Sequence, residues 1–597
     1  MHLRVAVAQI NTVVGGLAAN HAKIVARLVE AKEAGVDLIV FPELAVTGYP
    51  PEDLLLKSDF IETAVDILQS IAPATQGLTA VVGCLRRDDD LYNSAAVFHD
   101  GQIVAYADKQ FLPNYGVFDE DRYFASGQKC AVFARGAAVF GINICEDLWY
   151  PEGPAQSQVT HGAQLLINLS ASPYQQGKGA LRERLIRTRA ADNTAFVAYC
   201  NLVGGQDELV FDGQSMICGP QGEVLACARL FEEELLVADL DLHQVFQARL
   251  ADPRHRKRKR TVDDGCCRVE LSPILPGGSR GAASIPPKIA APLDRTAEVY
   301  QALVLATRDY VHKNGFQKVV LGLSGGVDSA LTATIAVDAL GSDRVNGVAM
   351  PTRYSSEHSR TDARTLAANL GVNFLEVPID AVFQSYLDIL APLCGGLPGG
   401  LTEENLQPRI RGTLLMALSN KFGWLVLTTG NKSETSVGYS TLYGDTAGGF
   451  AVLKDVPKTL VYELCSFRNQ LAGSDLIPRN TLEKPPSAEL RPEQKDTDSL
   501  PPYEVLDPIL RNYIEENRSA HDMVAKGFDE STVNRIIRLV DRNEYKRRQS
   551  PPGVKITRRA FGKDWRLPIT NRYQAGPHCV APPASVPSPN NCEVESS

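Results

Sequence analysis

Residues 318–341 read KVVLGLSGGVDSALTATIAVDALG: a β-branched apolar run, a turn with two adjacent glycines, and an apolar stretch from Ser329 that contains no breaker until Gly341. That is strand, glycine-rich turn, helix. Adjacent glycines let the backbone come close to a phosphate, and the first turn of the following helix supplies unsatisfied N–H groups and a partial positive charge. The turn SGGVDS is therefore expected to hold phosphate. No lysine follows the glycines and the spacing is not GxGxxG, so neither of the two commonest phosphate turns accounts for it.

The same alternation continues on both sides. A helix is expected over 298–315 (EVYQALVLATRDYVHKNG), a strand over 345–350 (VNGVAM), a helix over 358–371 (HSRTDARTLAANLG) and a strand over 373–379 (NFLEVPI). Strand then helix at this interval predicts a doubly wound parallel sheet. From residue 3 to about 240, short β-rich runs such as LRVAVAQI, DLIVFPEL, TAVVGC, VFGINICED, LLINLSAS, FVAYCNLVG and ELLVADLDL alternate with helical stretches. Many are apolar throughout, as strands covered on both faces are, and a layered α/β unit follows. Between them lie RHRKRKR (254–260) and SPILPGGSRGAASIPPK (272–288), whose breakers mark a linker. The expected organisation is an α/β unit over 1–245, a basic, Pro/Gly-rich linker over 246–290, a second α/β unit over 291–575 and a disordered, proline-rich tail over 576–597.

A chain of 597 residues exceeds one hydrophobic core, and 44% hydrophobic with 22% charged residues is an ordinary globular balance. The net charge of -9 argues against a nucleic-acid partner, and no apolar run approaches a bilayer span. Small-molecule substrates and a cytoplasmic location are expected. The twelve cysteines show no CxxC spacing and are read as thiols, with one a candidate nucleophile.

That candidate is Cys145 in FGINICEDLW, with Glu43 in LIVFPEL and Lys109 in IVAYADKQ at comparable strand ends. A thiol becomes a nucleophile when a cation lowers its pKa and a carboxylate takes its proton. The words FPEL, KQFLPNYGVFDE and CEDLW resemble the nitrilase superfamily, in particular its glutaminase branch, over residues 3 to about 240. The resemblance implies an αββα sandwich in which Cys145 attacks the glutamine carboxamide, Glu43 serves as general base and acid, and Lys109 stabilises the oxyanion. It also implies glutamine binding by Tyr115, Glu120, Glu146, Ser172 and Lys178.

SGGVDS resembles the pyrophosphate-binding turn of the ATP pyrophosphatase family, and TTGNKSETSVGYSTLYGDTAGG (428–449) resembles the NAD synthetase branch of that family, over most of 295–573. By that resemblance Gly322, Leu323, Ser324, Gly325, Gly326, Val327, Asp328, Ser329 and Thr429 bind ATP, and Asp328 and Glu434 hold magnesium. Asn405, Arg411, Glu434 and Lys546 are implied for the deamido-NAD substrate. Asp445 would belong to a mobile phosphate loop, and Lys458 would neutralise the pyrophosphate leaving group. The two halves together imply ATP-dependent amidation of deamido-NAD with ammonia from glutamine, with ATP and Mg2+ required, no prosthetic group, and a homo-oligomeric assembly.

Overall fold

The computed structural model describes residues 2–252, 257, 265–273, 285–286 and 288–573. Apart from Lys257, the basic run lies outside the described residues, as does the proline-rich tail.

Alternation along the first strand shows how the N-terminal half is layered. In His2–Gln9 the side chains of Leu3, Val5 and Val7 point one way and Ala6 and Ala8 the other, and all five are buried. Leu3, Val5 and Val7 meet Phe140, Ile142, Leu165, Ile167 and Phe196 of a second sheet, while Ala6 and Ala8 meet Ile24, Leu28 and Leu68 of flanking helices. The other face of the second sheet is closed by Val159, Ile186 and Ala190. Helix, sheet, sheet, helix is the expected αββα sandwich. The first sheet has the spatial order Glu234–Asp241, His2–Gln9, Leu38–Val40, Thr79–Arg87, Leu91–His99, Gln102–Asp108. The second runs Val224–Cys227, Met216–Cys218, Phe196–Asn201, Leu165–Ser170, Ala138–Ile144, Ala131–Arg135, Cys267–Leu271.

That last strand corrects the expected linker. Cys267–Leu271 falls within 246–290 yet pairs in parallel with Ala131–Arg135, and Leu271 is buried in the sheet-on-sheet core. Five residues are too short to read against a breaker-rich surrounding, but a sheet edge satisfies their backbone. The helix His243–Ala251 likewise carries the first half's structure past 245.

In the second half five parallel strands lie in the order Asn373–Glu376, Val345–Ala349, Val319–Gly322, Leu425–Thr428, Phe450–Ala451. In order of sequence this is 3-2-1-4-5, so the winding reverses between Val319–Gly322 and Leu425–Thr428. Ligands of such sheets bind outside the carboxyl ends of the strands at that reversal. The glycine turn and Thr429 emerge there.

The two halves share one core. The helix Arg295–Lys313 packs Val299, Leu303 and Ala306 in a cluster with Tyr174, Val203, Val210 and Phe231 of the sandwich. Asp309 accepts hydrogen bonds from Asn11 Nδ2 (2.6 Å) and Gly205 N (2.8 Å), and Lys313 donates to the carbonyls of Thr12 and Gly205 (both 2.7 Å). Among the described residues no helix is long and apolar enough to cross a membrane.

Candidate active sites

Glu43 stands three residues beyond the strand Leu38–Val40, in a turn that passes so close to Gly83 that a Cβ there would strike the Pro42 carbonyl. Its Oε1 accepts from Lys109 Nζ (2.7 Å) and Asn93 Nδ2 (2.8 Å), and its Oε2 from the Ala171 amide (2.9 Å). Lys109 reaches Glu120 as well (2.9 Å to Oε1), and Tyr49 donates its hydroxyl to Glu120 Oε1 at 2.8 Å. Burial would depress the Lys109 ammonium, but Glu120 and Glu43 outweigh it and hold it well above the usual lysine range. Glu120 is pushed up to about 7 by burial despite Lys109. Two carboxylates thus share one cation.

Cys145 leaves the strand Ala138–Ile144 with φ 43°, a left-handed backbone that a β-carbon disfavours. A strained turn that presents a thiol at the end of a strand is characteristic of a nucleophile held for reaction. Burial and the Glu43 carboxylate push the thiol up, and Lys109 opposes them. The resting group is the thiol, and an approaching substrate needs a base to take its proton. Glu43, anchored by three donors, is placed to do that.

The five residues expected to hold glutamine fall into two groups. Tyr115 donates to both oxygens of Glu146 (3.0 Å each), and Glu120 lies against Lys109 and Tyr49 as described. Ser172 is buried with its amide on Asn201 Oδ1 (2.9 Å), and Lys178 Nζ donates to the Pro173 carbonyl (3.1 Å). Burial and the Arg182 guanidinium lower Lys178 to about 8, and it lies within electrostatic range of Cys145. Asn93, Tyr49 and Asn201 were not anticipated. Asn93 carried a signal, being an amide of low β-propensity inside the strand Leu91–His99, where it is buried.

The second site is a cleft of about 320 Å³. Gly322, Leu323, Ser324, Gly326, Val327, Asp328, Ser329, Thr429, Glu434, Asp445, Lys458 and Arg411 all line it. Gly325 faces away: at φ +78° its missing Cβ leaves room for the Ser359 carbonyl. Ser329 Oγ closes the turn on the Gly326 carbonyl (2.9 Å), and Gly326 N donates to Ser324 Oγ (3.2 Å). The helix Val327–Leu340 then opens toward the cleft.

Lys458 Nζ binds Asp328 Oδ2 at 2.5 Å and Glu434 Oε1 at 2.9 Å, and Asn431 Nδ2 donates to Asp328 Oδ1 at 2.9 Å. Burial would lower Lys458, but the two carboxylates hold it high; burial raises Glu434 to about 7 against the pull of Lys458. Burial lowers Arg411 to about 10, and its Nε donates to the Met350 carbonyl (3.1 Å). A guanidinium drawn out of water in this way favours an anionic ligand.

Asn405 and Lys546 do not reach the wall of the cleft. Asn405 Oδ1 accepts from Thr441 Oγ1 (2.7 Å), and Lys546 Nζ donates to the carbonyls of Gly438 (2.7 Å) and Ser440 (2.8 Å). Both hold residues 438–445 from behind, and Asp445 fixes the same turn by accepting from Thr441 N at 2.7 Å. Burial raises Asp445 to about 6.

A buried cysteine beside a directly paired glutamate and lysine, in one chain with a phosphate cleft at a sheet reversal, defines an amide-hydrolysing half and a nucleotide-using half. Known proteins divide the same way: the carbon-nitrogen hydrolase family matches residues 4–250, and the NAD synthase family matches residues 299–550. The glutamine-dependent NAD(+) synthetase of Thermotoga maritima is 50% identical over 582 residues, covering 96% of this chain and 99% of its own length. That of Aquifex aeolicus is 46% identical over 575 residues, covering 96% and 100%. The structure of the Acinetobacter baumannii glutamine-dependent NAD+ synthetase, solved with ADP, is 42% identical with a TM-score of 0.71, covering 96% of this chain and 100% of that one. The chain belongs to the glutamine-dependent NAD(+) synthetase family.

Proposed function

We propose that this chain amidates deamido-NAD to NAD at the expense of ATP, with ammonia made from glutamine at Cys145. The observation that carries the proposal is the buried Glu43–Lys109–Glu120 cluster beside a strained Cys145 in the same chain as the SGGVDS cleft. As part of the same reading, residues 1–245 with the helix His243–Ala251 and the strand Cys267–Leu271 form the amidohydrolase half and 291–575 the synthetase half, the enzyme acts in the cytoplasm on small molecules, and nucleic acid has no part in its work.

In the first half the Cys145 thiol gives its proton to Glu43 as sulfur attacks the carboxamide carbon. Lys109 stabilises the oxyanion, a contribution commonly worth about 10² to 10³ in rate. Ammonia leaves as Glu43 returns the proton, and water then releases glutamate from the thioester. Tyr115, Glu146, Ser172 and Lys178 hold the amino acid's charged end.

In the second half the deamido-NAD carboxylate attacks the α-phosphorus of ATP, because an unactivated carboxylate has no usable leaving group. Pyrophosphate departs toward the glycine turn and Lys458, and ammonia displaces AMP from the adenylate. Arg411 and the turn 438–445 enclose the dinucleotide, with Asn405 and Lys546 supporting that turn. A magnesium ion suits this cleft, since a hard cation takes one or two carboxylates with substrate phosphates supplying the other oxygens, and Asp328 and Glu434 stand there sharing a single ammonium. When bound, it neutralises charge on the phosphates.

Homo-oligomerisation belongs to the same proposal. Val382, Tyr386, Ile389, Leu393, Leu397 and Leu401 leave an apolar face exposed along the helix Asp380–Leu390 and the chain after it.

Intact mass spectrometry during turnover tests the chemistry of the first half. Glutamine should add one glutamyl group to the protein, removable by hydroxylamine and absent from Cys145→Ala; no adduct under any trapping condition would contradict the covalent route.

A further inference from the structure

The peptide between Ser172 and Lys178 is not fixed by the amidohydrolase half alone. Gln176 N–H donates to the Ile556 carbonyl at 2.9 Å, and Lys555 N–H donates to the Glu208 carbonyl at 2.8 Å. Residues 555 and 556 of the synthetase half therefore lie as a short rung between the glutamine loop and the hairpin formed by Val203–Gln206 and Leu209–Asp212. The amide of Lys178 in turn donates to the Gln175 carbonyl at 2.9 Å, so a displacement of Gln176 carries Lys178 with it.

One carboxylate holds that rung. Asp455 Oδ2 accepts from Ile556 N (2.8 Å) and Thr557 N (2.7 Å), and the Thr557 hydroxyl lies 2.9 Å from both of its oxygens. Lys432 Nζ completes the knot, 2.8 Å from Asp455 Oδ1, 2.8 Å from Glu515 Oε1 and 2.7 Å from Thr557 Oγ1. Asp455 is 1% exposed, Lys432 2% and Thr557 6%, so water does not screen the contacts among these three. Lys432 is also the first residue of the helix Lys432–Val437, flanked by Asn431, which holds Asp328, and followed by Glu434, which pairs with Lys458. From Asp328 the path runs through Asn431, one peptide bond, Lys432, Asp455 and Ile556 to Gln176, every other step being a hydrogen bond or ion pair of 3.0 Å or less.

From this geometry we infer that Asp455 is a positioning residue for glutamine hydrolysis: it sets the glutamine loop from the synthetase half and makes that loop respond to occupancy of the ATP cleft. The inference rests on the two-site reading above. Dense interiors do not absorb small shifts, so a helix that moves when phosphates replace the Lys458 contacts moves Lys432, Asp455 and the rung together. Asp455 touches neither substrate, and its effect belongs in the KM for glutamine and in its response to the second site's ligands.

The test uses the full-length protein and two variants, Asp455→Asn, which places an amide against the Lys432 ammonium, and Thr557→Val, which keeps the side chain's shape without its hydroxyl. Glutamine hydrolysis is measured with and without ATP plus deamido-NAD, beside ammonium-driven NAD formation. The expected result is a glutamine KM raised about tenfold, within the usual range of couplings between sites, with kcat changed less than threefold. Ammonium-driven synthesis should also stay within threefold, and the effect of the nucleotides on glutamine KM should disappear. An unchanged glutamine KM, or losses that run in parallel with both nitrogen sources, would overturn the inference. Should Asp455→Asn not fold, Thr557→Val and amide exchange over 173–178 in the wild type decide it: nucleotides should slow exchange there, and no change would overturn the relay. A wild type that makes no NAD from either nitrogen source would instead sink the functional reading itself.

Discussion

Lys178 illustrates how far a single side chain can be read. Its lysine character was visible, but its environment, half-buried near Arg182 and lowered to about 8, was not. A lysine with a depressed pKa is charged below that value and neutral above it. If its charge holds the glutamine carboxylate, KM for glutamine should rise as pH climbs through about 8 and level off below 7. Lys178→Arg should remove the transition while keeping affinity within about tenfold, because guanidinium stays protonated throughout. A pH-independent KM in the wild type would take Lys178 out of the pocket. Glu43, Lys109 and Cys145 could be singled out as candidates because characteristic residues surround each of them. Asn93 and Tyr49 stand in no such neighbourhood, and their roles come from contacts to Glu43 and Glu120 that cross 50 and 71 residues of chain.

The strand, turn and helix of 318–341 formed as the pattern required, because local sequence decides each part: β-branched residues, glycines at the bend and an uninterrupted apolar helix. The turn makes the sharpest prediction. At Gly325 a methyl group meets both an unfavourable φ of +78° and the Ser359 carbonyl, so Gly325→Ala should displace the turn. ATP-dependent pyrophosphate release should fall at least about 10²-fold, as when a positioning element shifts by about 1 Å. Glutamine hydrolysis without nucleotides should stay within a factor of three, which isolates the loss to this cleft. The strand Cys267–Leu271 went the other way: nothing in five residues announces a sheet edge, and its partner Ala131–Arg135 lies more than 130 residues upstream. The reversal of strand order was equally invisible locally, since it is a property of pairing rather than of any strand.

The joint between the halves decides whether this is one cooperative body or two tethered ones. Asp309 accepts from Asn11 and Gly205 across it. Leaving a buried polar group unsatisfied costs about 1 to 3 kcal/mol, so Asp309→Ala should lower the melting temperature by several degrees or split a single calorimetric transition into two. An unchanged thermogram would mean that the apolar contacts of Val299, Leu303 and Ala306 suffice alone. The most direct test compares NAD formation from deamido-NAD, ATP and magnesium in the intact protein and in Cys145→Ala, with glutamine or ammonium as the nitrogen source. The variant should keep ammonium-driven synthesis and lose the glutamine-driven reaction. Loss of both, or retention of both, would contradict the assignment of ammonia production to Cys145 and of amidation to the glycine-turn cleft.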